Sequence, residues 1–292
     1  MQSCTLADAT PRVLWAPSLA PAPGRWEELA RLRSGRHPRS SPAGLARRAW
    51  LGRLRRALRG QCFVLHYQPI VSLRDGSTSH HEALVRLADE PGGKLLAPAA
   101  FLPAAERYGL IRDIDRLVIE RVVSLLARAQ PDSEARIAVN VSALSVSDGR
   151  LLGFIERCLE RGRVSPSRLV IELTETASVC DMAQAKAFCA GAQALGCAVA
   201  LDDFGAGFGA FQYLKHLPFS YLKIDGDFIR GLPRSEHDQL VVRALVGLAR
   251  GMGFATIAEF VRDEPTLVLL AELGVDYAQG FHVGRPRALT PV

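Results

Sequence analysis

The feature that most constrains this chain is a series of short apolar runs, each with an acidic or amide residue near its C-terminal end. CFVLHYQPIVSL (62–73), SHHEALVRLA (79–88), ARIAVNVS (135–142), RLVIELTE (168–175), AVALDDF (198–204), YLKID (221–225), FATIAEF (254–260) and YAQG (277–280) read as β-strands. They carry Glu82, Asn140, Glu172, Asp202 with Asp203, Asp225, Glu259 and Gln279. Amphipathic helical stretches such as DMAQAKAFCAGAQALG (181–196) and SEHDQLVVRALVGLARGMG (235–253) separate most of the runs. Apolar strands alternating with helices predict an α/β fold, a parallel sheet covered by helices. About eight strands in roughly 230 residues fit a closed (β/α)8 barrel of the TIM type better than an open flavodoxin-like sheet. The alternatives differ at the site: a barrel gathers polar side chains in a ring, an open sheet in one crevice. The short turn RDGS (74–77) predicts an antiparallel hairpin, so the barrel is expected to be modified at its first strand.

A single polar residue at a strand end is ordinary. Carboxylates at five strand ends are not, because negative charges gathered at one mouth repel one another unless cations offset them. Lys223 and Arg86 are the main basic candidates and are too few. Oxygen-only ligands point to Mg²⁺ or Mn²⁺ rather than zinc, which prefers His and Cys. Strand alternation puts Asn140 on a face with Ser142, Lys223 with Asp225, and Glu82 with Leu84 and Arg86. Asp202 and Asp203 diverge in a regular strand, but at a strand-to-loop junction the second can turn toward a neighbouring ion. Adjacent aspartates therefore suit two metals roughly 4 Å apart, the arrangement that cleaves phosphodiesters.

The formal charge of +6 is unevenly placed. Residues 1–60 hold 12 arginines against 3 acids, +9, which leaves the remainder at −3. Residues 1–43 are rich in Arg and Pro without sustained periodicity and read as a poorly ordered leader. GLARRAWLGRLRRALRG (44–60) follows as a basic amphipathic helix, read as packing on the domain that runs to residue 292 rather than as a membrane-surface helix. The six cysteines show neither zinc spacing nor a disulfide framework. No apolar run reaches membrane-spanning length and the start lacks the layout of a signal peptide, so a soluble, cytoplasmic protein is expected.

From about residue 50 onward the chain resembles the EAL-domain cyclic di-GMP phosphodiesterases of bacteria. The motifs are HYQPIV (66–71), HEALVRL (81–87), FLPAAERYGLI (101–111), VNVS (139–142), IELTET (171–176), LDDFGAGF (201–208), LKIDGDFI (222–229), AEFV (258–261) and QGFHVGRP (279–286). The resemblance implies hydrolysis of cyclic di-GMP to linear pGpG with two Mg²⁺ or Mn²⁺ ions. Carried over by motif, Glu82, Asn140, Glu172 and Asp202 hold one metal, and Asp202 bridges to a second held by Asp203 and Glu259. Lys223 is implied to hydrogen-bond the attacking water, Gln279 to support the site, and Glu175 to brace the loop after Phe204. Gln68, Leu84 and Arg86 match substrate-contacting positions, and Asp225 is placed with them.

Two departures stand out. Where the family usually reads AEGVE, this chain has Phe260 and Arg262 in Ala258-Glu259-Phe260-Val261-Arg262. The loop after Phe204 has Ala206 where Thr is common, and an added Gly209. A bulky ring beside Glu259 and a base in place of an acid bear on the second metal. The alternative function is therefore a catalytically weak or inactive EAL domain that acts as a cyclic di-GMP receptor through a regulatory protein partner. A nucleic-acid binder rests on the leader's charge alone, so no DNA or RNA partner is expected; a homodimer stays open. Deleting residues 1–43 should leave folding and basal hydrolysis nearly unchanged, and a fall in melting temperature on deletion would show that the arm packs on the domain.

Overall fold

The computed structural model describes residues 42–60, 62–88, 93–129, 134–174, 182–205 and 214–288. Residues 1–41 of the expected leader 1–43, Glu175, Ala206 and Gly209 lie outside the described residues, while Pro42 and Ala43 open the helix Pro42–Arg59.

The strands are β1 (Phe63–Ser72), β2 (Thr78–Ala88), the two-residue β3 (Leu95–Leu96), β4 (Ile137–Val141), β5 (Leu169–Thr174), β6 (Ala198–Phe204), β7 (Tyr221–Ile224), β8 (Ala255–Ala258) and β9 (Tyr277–Gln279). Strands β2 and β4 to β9 pair in parallel, each with the next. β1 closes the circle by pairing antiparallel with both β2 and β9, while β3 extends β2 on the outside. The sheet is therefore a closed eight-stranded barrel, and the open-sheet alternative is excluded. The reversal follows from the turn after β1, where Asp75 Oδ1 accepts from the backbone N–H and the hydroxyl of Ser77 at 3.0 and 2.7 Å. A connection this short joins only antiparallel strands.

Helices cover the barrel with their apolar stripes. In Ile111–Arg128, residues Ile111, Ile114, Val118, Ile119, Val122, Val123 and Leu126 are buried at helical spacing. Asp115 lies buried in the same stripe and accepts from Ser142 N, Ser142 Oγ and Ser145 Oγ at 3.0, 2.7 and 2.6 Å. These bonds pin the chain just beyond β4, two residues after Asn140. Glu236–Met252 starts on a Ser235 cap and stops at Gly253, whose φ of 77° an L side chain adopts only under strain. In the helix Pro42–Arg59, Leu54 and Ala57 are buried and Trp50, Leu51 and Leu58 pack on the core, leaving Arg55, Arg56 and Arg59 exposed. No helix among the described residues is long and apolar enough to cross a membrane.

Inside the barrel the period-2 pattern builds two layers. Ile70, Ala138, Val170, Ala200, Tyr221 and Ile257 form an apolar floor, against which Tyr277 packs. Two residues further along their strands come Asn140, Glu172, Asp202, Lys223, Glu259 and Gln279. On β2 the same step runs from His80 to Glu82. The His80 ring lies against Tyr221 and Tyr277, with centroids 5.3 and 6.2 Å away, and is 1% exposed. Burial, reinforced by the charge of Lys223, pushes its pKa down to about 3.

This depression makes stability pH-dependent. The unfolded chain protonates His80 near its ordinary value of 6.5 while the folded chain holds it neutral, so its contribution is complete above that pH and is lost as pH falls toward 3. Between pH 7 and pH 5 the wild type should lose roughly 2 kcal/mol that a His80→Phe variant keeps. Urea unfolding at both pH values checks this; equal losses in the two proteins would contradict the buried neutral imidazole.

Candidate active site

The polar layer centres on one ammonium group. Lys223 Nζ lies 2.8 Å from Glu259 Oε1, 2.9 Å from Asp202 Oδ1, 3.1 Å from Glu172 Oε2 and 3.7 Å from Glu82 Oε2, and its side chain is 1% exposed. Burial works against its charge, yet the four carboxylates hold its pKa well above the ordinary lysine value. The acids share one cation unequally. Glu82 stays below its usual value despite burial, helped by Lys223 and by Gln279 Nε2 and Asn140 Nδ2, each donating at 2.6 Å. Glu172, fully buried among like charges, is raised well above its usual value, and its Oε1 has no hydrogen-bond partner among the described residues. Glu259 is pushed up to about 8, first by burial and then by Asp202 and Glu82 against the opposing pull of Lys223.

β6 brings its second aspartate to the same place by a break in regularity. The register between β6 and β7 shifts between Leu201 and Phe204, and Asp203 takes a left-handed φ of 55°. The turn brings carboxylate oxygens of Asp202, Asp203 and Glu259 within 4.8 Å of one another, a group able to hold a cation. Burial and Asp202 raise the pKa of Asp203 to about 6.

The other sequence candidates surround this cluster. Gln68, opposite Glu82 on β1, donates to Gly284 O at 3.0 Å. Leu84 and Asp203 line two cavities. One, of about 390 Å³, is also lined by Gln68, Arg86, Glu259, Phe260 and Arg262; the other, of about 510 Å³, reaches Asn140, Ser142 and Asp202. Arg86 donates to Val85 O at 3.0 Å. Asp225 lies just past β7 and caps the turn Gly226–Ile229, its Oδ1 accepting from Asp227 N at 2.7 Å, while its charge adds to the rise of Asp203. Glu175 is outside the described residues. Sequence reasoning missed the Asp115, Ser142 and Ser145 network behind Asn140; an acid inside the apolar stripe of Ile111–Arg128 was its signal. It also passed over Phe281, whose exposed ring lines the smaller cavity beneath the Arg285 guanidinium, 4.4 Å from the ring centroid.

Removing the shared cation should be costly. Lys223→Met leaves four carboxylates around an apolar chain, and a loss of ~3–5 kcal/mol is expected in EDTA. Glu172→Gln in the same background should restore part of it, because one repelling charge goes. Urea unfolding of the two single variants and the double variant measures this coupling; strictly additive losses would show that the acids do not depend on Lys223.

The EAL domain family model matches residues 51–286. Cyclic di-GMP phosphodiesterase PdeF of Escherichia coli K12 is 34% identical over 82% of this chain and 32% of its own length. Bifunctional diguanylate cyclase/cyclic di-GMP phosphodiesterase MucR of Pseudomonas aeruginosa is 37% identical over 80% of this chain and 34% of its own length. The chain thus spans about a third of the length of these curated relatives. Among solved structures, the PaMucR phosphodiesterase in its c-di-GMP complex superposes with a TM-score of 0.77 at 36% identity, covering 82% of this chain and 98% of the other. The FimX EAL domain of Xanthomonas citri in complex with c-diGMP also gives 0.77, at 31% identity and with coverage of 84% and 95%. Matched along most of its length by the family model and sharing the fold of these domains, the chain belongs to the EAL domain family.

Proposed function

We propose that this protein is a metal-dependent phosphodiesterase that hydrolyses cyclic di-GMP to linear pGpG, with its catalytic unit running from about residue 44 onward. The observation that carries this reading is the surplus of carboxylates around Lys223. Four inward acids share one buried ammonium, Glu172 Oε1 is buried without a hydrogen bond among the described residues, and Asp203 joins Asp202 and Glu259 in bringing carboxylate oxygens within 4.8 Å of one another. An oxygen-rich, negatively charged donor set of this kind fits hard divalent cations such as Mg²⁺ or Mn²⁺. Glu82, Asn140, Glu172 and Asp202 would hold one ion, and Asp202, Asp203 and Glu259 a second. When bound, the ions supply Lewis-acid charge at the phosphodiester and its attacking water.

The chain's own residues do the rest. Gln279 and Asn140 fix both oxygens of Glu82, and Gln68 continues that network to Gly284. In this arrangement the three N–H bonds of Lys223 face Glu259, Asp202 and Glu172. Lys223 therefore reaches a water only when one of these acids turns to a cation, which couples its orienting role to metal binding. Arg86, on the wall of the smaller cavity, suits a phosphate oxygen. Water adds to phosphorus, the P–O3′ bond breaks, and the 3′ oxygen leaves with a proton, giving a 5′-phosphorylated linear dinucleotide. The buried, unpaired thiols of Cys62, Cys158, Cys189 and Cys197 support the expectation of a reducing, cytoplasmic setting.

Phe260 and Arg262 favour the second reading, a receptor that binds without cutting. A single assay separates the two. Purified protein with cyclic di-GMP should yield pGpG with Mg²⁺ or Mn²⁺, little with the more loosely coordinating Ca²⁺, and none in EDTA. Glu82→Ala should abolish turnover. Tight nucleotide binding with no product under either metal would replace the enzyme reading with the receptor one.

A further inference from the structure

Phe260 is bulky, 46% exposed and held at a left-handed φ of 55°, a combination that favours glycine and strains other residues. Nothing about core packing calls for it. The two exposed phenylalanines among the described residues, Phe260 and Phe281, both line the cavity of about 390 Å³ beside Glu82, Asp203 and Glu259. The Phe260 ring is also backed. The Arg230 guanidinium lies 4.4 Å from its centroid, and Gly226, four residues earlier on the same turn, lets the ring approach so closely that a Cβ there would fall 2.2 Å from Phe260 Cδ2. Arg262, exposed on the wall of the same cavity, makes no side-chain hydrogen bond or ion pair among the described residues. A strained, exposed ring fixed by a cation, next to an uncommitted guanidinium, is what a purine base needs: a π face to stack on and a forked donor for an acceptor edge.

We propose that Phe260 and Arg262 form a purine-selecting wall, Phe260 stacking on one guanine of cyclic di-GMP and Arg262 donating to its O6/N7 edge. The wall rests on the cyclic di-GMP reading above and adds specificity to it through two residues at which this chain departs from the usual family pattern. Adenine presents an amino group where guanine presents O6, so Arg262 favours guanine over adenine. Phe260 acts through affinity, and backbone strain is the cost of keeping it.

Calorimetric binding of cyclic di-GMP and cyclic di-AMP, with Ca²⁺ in place of Mg²⁺ to slow turnover, tests this in the wild type, Phe260→Gly, Phe260→Trp and Arg262→Ala. Phe260→Gly should raise Kd for cyclic di-GMP about tenfold, one lost base stack, while its melting temperature stays level or rises because glycine takes φ 55° without strain. Phe260→Trp should retain affinity, and Arg262→Ala should shrink the preference for guanine at least fivefold. A merely structural Phe260 would lower affinity and melting temperature together, which would overturn the wall. Unchanged or tighter binding by Phe260→Gly would also overturn it, showing a ring that obstructs rather than recognises. Absence of cyclic di-GMP binding by the wild type would instead sink the substrate reading itself, and the wall with it.

Discussion

The structure depends on a buried ammonium among acids. Lys223 enters the barrel one step above Tyr221, and Glu82, Glu172, Asp202 and Glu259 arrive around it from four other strands. Desolvating these groups is expensive, and in most proteins an apolar replacement would serve stability at least as well. The barrel keeps them by separating its interior into layers. Below the polar layer, uncharged aliphatic and aromatic side chains fill the space around a neutral His80, so the cost of buried charge is confined to one plane at the mouth. One lysine leaves a shortfall of positive charge: burial first, and then the neighbouring carboxylates, raise the pKa values of Glu172, Glu259 and Asp203 against its pull. The same shortfall makes the plane receptive to cations.

Strain is placed where that plane opens. Three non-glycine residues among the described ones have positive φ, and two of them, Asp203 and Phe260, each directly follow an inward carboxylate, Asp202 and Glu259. In a straight strand each would face outward. The left-handed turn redirects them to the rim, Asp203 toward the acid cluster and Phe260 onto the cavity wall. Costs of about 1–3 kcal/mol at such positions persist only when neighbours hold them. The stable barrel below supplies that hold.

Much of this was legible in the sequence because the strands are buried on both faces. Near-continuous apolar runs located all eight barrel strands to within a few residues, and the acids interrupting them marked the open end, since a carboxylate is tolerated inside a barrel only near water or a cation. Alternation carries Asn140, Glu172 and Gln279 two residues beyond Ala138, Val170 and Tyr277 and so into one inner layer. It failed where the strand stops being regular. Ser142 shares a face with Asn140 by parity and lines the larger cavity with it, but the chain turns there, and the Ser142 hydroxyl is taken up by capping the next turn and by Asp115. Lys223 and Asp225 share parity too, yet Asp225 lies beyond β7 and caps a turn. The hydrogen bonds of Asp115 and the packing of the His80 ring against Tyr221 and Tyr277 join residues far apart in the chain, and no local pattern encodes such partners.

The mouth is also asymmetric, and this bears on how a symmetric ligand is treated. Leu84 and Asp203 border both cavities, but only the smaller one carries Arg86, Arg262, Phe260 and Phe281, whereas the larger joins an apolar wall to Asn140, Ser142, Thr174 and the acids Glu106, Asp115 and Asp202. A two-fold symmetric cyclic dinucleotide has two equivalent esters, and in solution nothing distinguishes them. Under the proposed function, one half of such a ligand would meet arginines and exposed rings and the other an apolar wall edged with acids, so the two esters would lie at different positions relative to the carboxylate plane.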